Sequence, residues 1–418
     1  MGLIQRTMTG RDPHEPHRAS TPLELLFDLC FVVAVGQAAA QLHEGLGTGH
    51  VRHAVAGFGV VFFAIWWAWL NFTWFASAYD TDDVPYRLLT FVQIIGVLIL
   101  ASGVSAAFAG DLVVITVGYI VMRVALTLQW LRAAACDERG RRTALRYTSA
   151  LTVIQIGWIV RLFMPGSWGY TTFAILAIAE LAGPYWAERT EQTTTWHPQH
   201  IAERYGLFTI IVLGECVLSA FVAINAARTS ASGISAHLAI VAGAGLLCMF
   251  SVWWIYFELS PEQMLEERSQ LSFVWGYGHY FLFAAIAALG AGIALVASLS
   301  GDTAHDARPT LSAMGQALSI AVPVGIAMLL LALMRPMLRG RHAIVDSVGI
   351  VMGALIVGAG LAARSIGLSA SLCLVATITV GRVVVVVLVD GRFDDSTDTS
   401  QDRSTGGGKL VQDRLVHD

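Results

Sequence analysis

The chain has 418 residues, of which 56% are hydrophobic and only 13% are charged, and its mean hydropathy is +0.63. Soluble domains carry about 25% charged residues, so this composition excludes an ordinary soluble protein and favours one embedded in a lipid bilayer. The net charge of −4 points to no acidic or basic partner, and without a basic surface we expect no nucleic acid binding.

The first 21 residues are polar and lack the charged-then-apolar pattern of a cleaved signal peptide. We therefore expect a cytoplasmic N-terminal segment at 1–21. The first apolar run after it should stay in the membrane as a helix.

Long apolar runs fill the rest of the chain as far as residue 390. A run of about 20 apolar residues crosses the hydrocarbon core, and its backbone must be helical because every amide needs an internal partner. We predict an all-α transmembrane bundle with about twelve spans, leaving open the boundary between the third and fourth and the full crossing of the last two. The spans are 22–42, 52–78, 86–108, 111–133, 145–164, 168–188, 201–225, 235–258, 270–298, 311–334, 343–363 and 368–390.

The loops between these spans differ in arginine content. If the N-terminus is cytoplasmic, the opposite side holds only Arg52, Arg228, Arg308 and Arg364, and every other loop arginine is cytoplasmic. Positive charges concentrate on the cytoplasmic side of membrane proteins. We expect a multi-pass protein of the bacterial cytoplasmic (inner) membrane with both termini in the cytoplasm, and a disordered tail at 391–418.

Short similarities relate the two halves of the chain, 22–190 and 197–390. Gly36-Gln37 in the first span resembles Gly214-Glu215 in the seventh, and paired tryptophans recur in the second and eighth spans. Two six-helix halves of the same orientation would form a parallel repeat, as in many transporters.

Charged residues near the bilayer centre are costly and usually have a partner or a function. Glu24 and Asp28 in the first span are four residues apart and share a helix face. Two ionised carboxylates there would repel, so one should hold a proton or pair with an arginine. The alternative is that both lie in water at the cytoplasmic end.

Acidic residues also cluster between the second and third spans, at Asp80, Asp82 and Asp83, followed by Arg87. Three carboxylates are suitable oxygen ligands for a divalent cation. They are equally suited to a gate salt bridge with Arg87 or to a solvated loop. A divalent cation is the one cofactor that the sequence suggests, and only at this place.

The seventh span contains His200, Glu203, Arg204 and Glu215. Arg204 and Glu215 are about three turns apart and should lie on one face. Because Glu215 is about halfway across an apolar helix, we expect it to be a proton-coupling group or a glutamate satisfied by a neighbouring arginine.

Three further polar residues lie inside predicted spans. Arg123 is midway in the fourth span and is a candidate partner for Glu180 in the sixth or for Glu215. His279 lies in the ninth span and is either a titrating group or a hydrogen-bonded core histidine.

Aromatic residues crowd the second and eighth spans. They either form interfacial belts or line a pocket; the candidates for a pocket are Trp66, Trp67, Trp253, Trp254 and Tyr256.

Four segments together resemble the bacterial low temperature requirement protein A family. They are ELLFDLCFV at 24–32, YDTDDVPYR at 79–87, HIAERYGLFTIIVLGE at 200–215 and WWIYF at 253–257, and the similarity runs from about residue 20 to at least 290. The resemblance implies a polytopic membrane protein linked to growth in the cold. It implies no defined biochemical activity.

Three functions fit these observations. The first is a proton-coupled secondary transporter of a small molecule that uses the acids in mid-membrane. The second is a membrane enzyme that acts on a lipid or isoprenoid through the aspartate cluster. The third is a non-catalytic factor in cold or stress adaptation. The partners we expect are the lipid bilayer, a small-molecule or lipid substrate and a second copy of the chain in a homo-oligomer.

Overall fold

The computed structural model describes residues 6–13, 15, 18–165, 168–189, 192–229, 236–300, 311–339 and 343–388. These residues contain helices and no strand. The expected tail at 391–418 lies outside the described residues.

Twelve long helices form the described part of the chain, one for each predicted span. They are α1 (Pro22–Gly47), α2 (Val51–Tyr79), α3 (Val84–Ser102), α4 (Val113–Cys136), α5 (Arg141–Arg161), α6 (Gly169–Ala187), α7 (Pro198–Thr229), α8 (Ala236–Glu258), α9 (Ser272–Leu299), α10 (Ala313–Arg339), α11 (Ala343–Leu361) and α12 (Leu368–Leu388). The all-α prediction is confirmed, and twelve helices agree with about twelve spans.

Nine helices of the described chain are long and apolar enough to cross a membrane by themselves; the other three are α5, α6 and α11. The apolar part of α11, Val345–Leu361, is shorter than the others. It falls short of the roughly 20 residues that a bilayer core requires. The α5 and α6 helices form a hairpin beside the densely packed centre.

The third predicted span ends earlier than expected. The α3 helix stops at Ser102, and a separate short helix follows at Val104–Phe108. A Cβ atom on Gly103 would come within 2.8 Å of the Val114 side chain, so only glycine permits α4 to approach here. The open boundary between the third and fourth spans is thus a break in the helix at Gly103.

The centre of the bundle is formed by α1, α2, α7 and α9. The α1 helix contacts α2, α3, α7 and α9, while α7 also contacts α8 and α9. The division of the chain into two six-helix halves stays a prediction. The internal repeat stays a prediction.

Candidate functional site

A salt bridge joins α4 to α6. Nη2 of Arg123 lies 2.8 Å from Oε2 of Glu180, and both side chains are buried. The indole N–H groups of Trp67 and Trp158 donate to the same carboxylate, at 2.7 Å to Oε2 and 3.0 Å to Oε1. Three donors from three helices therefore hold the Glu180 carboxylate in place.

A small cavity of about 50 Å³ adjoins this salt bridge and is called the Glu180 cavity. Its walls are mostly apolar, and its polar lining includes Glu180 and Arg161. In the two arginines at this site, one buried guanidinium nitrogen each has no hydrogen-bond acceptor among the described residues: Nη1 of Arg123 and Nε of Arg161. The lining is completed by Val60, Val61, Phe63, Ala64, Trp67, Leu112, Ile115, Thr116, Tyr119, Trp158 and Phe173.

A larger cavity of about 380 Å³, the His53 cavity, lies toward the start of α2. It is lined by His53 and by the exposed Asp111, and it shares four lining residues with the Glu180 cavity. The shared residues are Val60, Leu112, Arg161 and Phe173. The His53 cavity at this end of the bundle therefore adjoins the cavity that contains the buried Glu180 carboxylate.

A third cavity of about 720 Å³, the Trp74 cavity, lies toward the end of α2 and includes Trp74, Tyr277 and Pro184. Trp67 lines the Glu180 cavity and Tyr277 lines the Trp74 cavity, and their ring centroids are only 5.6 Å apart. The hydroxyl of Tyr277 donates to the Leu181 carbonyl at 3.1 Å. One layer of aromatic rings separates the two cavities.

Titratable residues of the neighbouring helices lie near Glu180 or line its cavity. Arg123 and Tyr119 belong to α4, Arg161 to α5 and Tyr277 to α9. The Tyr119 hydroxyl donates to the Ala64 carbonyl. Arg123 pairs with Glu180, whereas Arg161 lines the Glu180 cavity, donates to the Gly169 carbonyl at 2.9 Å and has no carboxylate partner among the described residues.

A second buried cluster joins α1 to α7. Arg204 donates to Asp28 through Nε at 2.9 Å and Nη2 at 2.6 Å, while its Nη1 lies 3.1 Å from Oε1 of Glu24. Nε2 of His200 lies 3.1 Å from the same Glu24 oxygen. The structure therefore pairs both acids of the first span with the arginine of the seventh, which removes the alternative that they lie in water.

This second cluster is fixed by its surroundings. The indole N–H of Trp69 donates to Asp28 at 2.8 Å, and Glu24 forms a capping box with Thr21 at the start of α1. All four charged or titratable side chains are at most 1% exposed. Removing one partner of a buried ion pair costs much stability, so the cluster fixes α1 against α7.

The aspartates after α2 do not form the expected three-carboxylate site. Arg87 pairs with Asp82 at 2.7 Å on the exposed surface, whereas both oxygens of Asp83 accept from Arg132 of α4. Among the described residues, no group of three His, Cys, Asp or Glu side chains is placed to hold a metal ion. Arg87 thus forms the salt bridge that the sequence analysis gave as one alternative, the remote Arg132 binds Asp83 separately, and a divalent cation at these aspartates stays a prediction.

The N-terminal segment explains the position of Asp80. Residues 6–13 and 18–20 lie against the end of α2, where the backbone N–H of Arg11 donates to the Ala78 carbonyl. The guanidinium of Arg18 donates to the Ala76 carbonyl at 2.7 Å and to the Ser77 carbonyl. Asp80 is buried beneath this segment. Burial and the nearby charge of Glu24 raise the pKa of Asp80 to about 6, against the opposing effect of Arg18.

Asp83 behaves in the opposite way. Burial disfavours its charge, but hydrogen bonds from Arg132 and from the backbone N–H groups of Arg6 and Tyr86 outweigh burial and lower the pKa of Asp83. Asp80 and Asp83 thus differ in pKa because the carboxylate of Asp83 has a guanidinium partner and that of Asp80 does not.

Glu215 lies apart from both clusters. A Cβ atom on Gly290 would lie 2.9 Å from Cγ of Glu215, and one on Gly36 would lie 3.2 Å from its Oε2. The glutamate fits between these glycines of α1 and α9, and it has no ion-pair partner among the described residues. Its candidate partner from the sequence, Arg123, binds Glu180 instead.

His279 and Tyr256 belong to a separate cavity of about 250 Å³ that Glu203 also lines. Nδ1 of His279 lies 2.7 Å from the Trp275 carbonyl and Nε2 lies 3.2 Å from the Tyr256 hydroxyl. His279 is therefore a hydrogen-bonded core histidine, and the structure does not bring it together with Glu180.

The two tryptophan pairs have different environments. Trp66 and Trp67 are each 1% exposed, whereas Trp253 and Trp254 are 44% and 46% exposed. The pocket interpretation of Trp253 and Trp254 was wrong, because these rings face outward from α8, as residues of an interfacial belt do.

Sequence reasoning missed three residues of the site: Trp158, Arg161 and Tyr277. Arg161 lies inside the predicted fifth span, so the cost of a charge in lipid was an available signal. Trp158 and Tyr277 gave no signal, because an aromatic residue in an apolar run is most often core.

The comparisons with known proteins agree with the helical architecture. The family model described as bacterial low temperature requirement A protein (LtrA) matches residues 19–384. An uncharacterized protein of Rhizobium meliloti (strain 1021) is 29% identical over 283 residues, which cover 63% of this chain and 65% of the relative, just under two thirds of its length. No solved structure matches the chain. The chain therefore belongs to the bacterial low temperature requirement A protein family, and it is a multi-pass membrane protein of that family.

Proposed function

We propose that the protein is a proton-coupled secondary transporter of a small molecule in the cytoplasmic membrane of a bacterium, with both termini in the cytoplasm. The arginine distribution among the loops supports this orientation. With it, the His53 cavity faces away from the cytoplasm and the Trp74 cavity faces toward it.

The observation that carries the proposal is the order of the three cavities along α2. The His53 cavity shares its lining with the Glu180 cavity, and the Trp67–Tyr277 ring contact divides the Glu180 cavity from the Trp74 cavity. A transporter needs a central site that each side of the membrane reaches in turn. The aromatic layer is the gate that such a cycle would open.

Glu180 is the coupling group in this proposal. It is held by Arg123, Trp67 and Trp158, and protonating its carboxylate would weaken all three interactions at once. Intramembrane carboxylates of this kind serve as proton relays in pumps and transporters. Proton binding would also free the Arg123 guanidinium for a substrate.

The α5–α6 hairpin is the moving element in this proposal. Among the residues of α6, only Glu180, Gly183 and Ala187 are buried, and the helix contains Pro184 one turn after Glu180. A proline inside a helix removes a backbone hydrogen bond and permits a kink. The hairpin lines all three cavities, so its displacement would open one while closing another.

The test is uptake by purified protein in sealed, oriented liposomes with an imposed pH gradient. A panel of small anions, cations and neutral metabolites is offered outside. At least one solute should accumulate against its gradient, and a protonophore should abolish the accumulation. Absence of gradient-driven flux for every solute, in vesicles that hold their pH gradient, would contradict the proposal.

A further inference from the structure

We propose that the Glu180 cavity binds a small organic monoanion with an apolar body, whose carboxylate takes the place of Glu180 on Arg123. This assignment rests on the proposed function, since it names the substrate class of the same site.

The charge of the site favours an anion. Arg161 lines the cavity, and Arg123 adjoins it through its salt bridge with Glu180, which is the single carboxylate among the lining residues. Only one of the two positive charges is paired by it. A monoanion would neutralise the second.

The free hydrogen-bond donors also favour an anion. Nη1 of Arg123 and Nε of Arg161 are buried atoms without an acceptor among the described residues, and Arg123 is only 4% exposed. A buried donor without an acceptor is costly, and a planar guanidinium matches the two oxygens of a carboxylate. The indole N–H groups of Trp67 and Trp158, now on Glu180, are further donors within the same wall.

The shape of the walls favours an apolar body. Phe63, Ile115 and Phe173 line the Glu180 cavity, and the Arg161 guanidinium carbon lies 6.0 Å from the Phe173 ring centroid. A cavity of about 50 Å³ accommodates a carboxylate, and the remainder of the ligand would extend past Arg161 into the His53 cavity. Ligand pockets combine apolar walls with a few convergent polar groups in this way.

Competition for Arg123 links the anion to the proton. With Glu180 ionised, the anion must displace it from the guanidinium. With Glu180 protonated, Arg123 is available, so anion and proton would bind together. An anion would then be carried with a proton in the same direction.

The experiment measures equilibrium binding of benzoate by isothermal titration to the full chain in lipid nanodiscs, with benzamide as its neutral analogue. Benzoate should bind at least about tenfold more tightly than benzamide, since hydrogen bonds to charged groups discriminate by this factor or more. Glu180→Gln should strengthen benzoate binding because it removes the competitor for Arg123. Glu215→Gln, the same change at a glutamate away from the site, should leave binding unchanged.

The double variant R123Q/E180Q removes both charges and so avoids leaving one of them unpaired, and it should lose the preference for benzoate while remaining folded. Arg161→Gln should weaken benzoate binding without affecting benzamide. Equal binding of benzoate and benzamide to the wild type, or a preserved preference in R123Q/E180Q, would overturn the anion assignment. Flux of a cation or neutral solute beside absent benzoate binding would overturn the assignment and leave the transporter function standing. Benzoate binding without flux of any solute would support the anion assignment and overturn the transporter function.

Discussion

Nη2 of Arg123 lies 2.8 Å from Oε2 of Glu180, and the side chains are 5% and 3% exposed. The carboxylate is shared with two tryptophans from two other helices. In the middle of a membrane helix such a group needs partners to be tolerated, and here the partners adjoin a cavity. The pair is therefore both a structural contact and the centre of the proposed transport path.

The first prediction separates the hydrogen bond of Trp67 from its bulk. Trp67→Phe and Trp66→Phe make the same change at neighbouring residues that are each 1% exposed, but only Trp67 donates to Glu180. Trp67→Phe should lower the free energy of unfolding by about 1.5–3 kcal/mol more than Trp66→Phe does, because only Trp67→Phe loses a hydrogen bond to a charged group.

The buried cysteines Cys216 and Cys248 provide the measurement, because a thiol-reactive dye labels them only when the protein unfolds on heating. Equal melting temperatures for the two variants would remove the energetic role of the Trp67–Glu180 hydrogen bond.

A second prediction concerns the cluster between α1 and α7. Arg204→Met leaves Glu24 and Asp28 buried without their cation and should lower stability by about 3–5 kcal/mol. Arg87→Met, at the exposed pair with Asp82, should have no measurable effect.

Neutralising the two acids as well, by Glu24→Gln and Asp28→Asn, should recover most of the stability of Arg204→Met. A mild effect of Arg204→Met in the same dye assay would show that the cluster does not lock the two helices.

A third prediction follows from the acidity of Asp80. Its pKa in the folded protein is about 6, above the ordinary value of 3.8, so the folded state holds the proton more tightly than the unfolded state. The contribution of Asp80 to stability is therefore present at low pH and is lost as the pH rises from about 4 through 6. The loss approaches about 3 kcal/mol.

The measurement is the difference in melting temperature between wild type and Asp80→Asn from pH 4.5 to pH 7.5. Relative to the variant, the wild type should become less stable as the pH rises through this window. A difference that does not change with pH, or that changes in the other direction, would contradict the assignment of a raised pKa.

The fourth prediction tests the N-terminal segment. Arg18 donates to the last carbonyls of α2 and is buried, whereas Arg11 pairs with Glu15 near the surface. Arg18→Ala should cost about 1.5–3 kcal/mol and should expose the segment to protease. Arg11→Ala should cost less than about 1 kcal/mol, and equal sensitivity of the two variants to protease would show that Arg18 does not anchor the segment.

The fifth prediction tests the orientation. Asp111 and Glu138 are both exposed, and they lie just before the start and just after the end of α4. In a background without native cysteines, a membrane-impermeant maleimide applied to intact cells should label Asp111→Cys and leave Glu138→Cys unlabelled. Labelling of Glu138→Cys alone would invert the assigned topology.

Much of this architecture was predictable from local sequence. Apolar run length predicts a helix for every span because lipid leaves the backbone no other way to pair its amides. The four-residue spacing of Glu24 and Asp28 predicts a held proton or an arginine partner, with exposure to water as the alternative. Arg123 and Glu180 were one of two candidate pairs.

The remaining errors come from contacts between distant helices. Spacing along α7 places Arg204 and Glu215 on related faces, but which helix covers each of them depends on packing that no local pattern encodes. Likewise Arg132, which binds Asp83, lies 49 residues away from it in sequence, so the spacing of the aspartates does not reveal this contact.

The most direct test of the central claim compares two modes of flux in Glu180→Gln, for the solute that the wild-type protein transports. A glutamine cannot exchange a proton, so the variant should lose accumulation driven by a pH gradient while it retains exchange of labelled for unlabelled solute at equal pH. Glu215→Gln should keep both. Full gradient-driven accumulation by Glu180→Gln would contradict the account, as would loss of accumulation in Glu215→Gln alone.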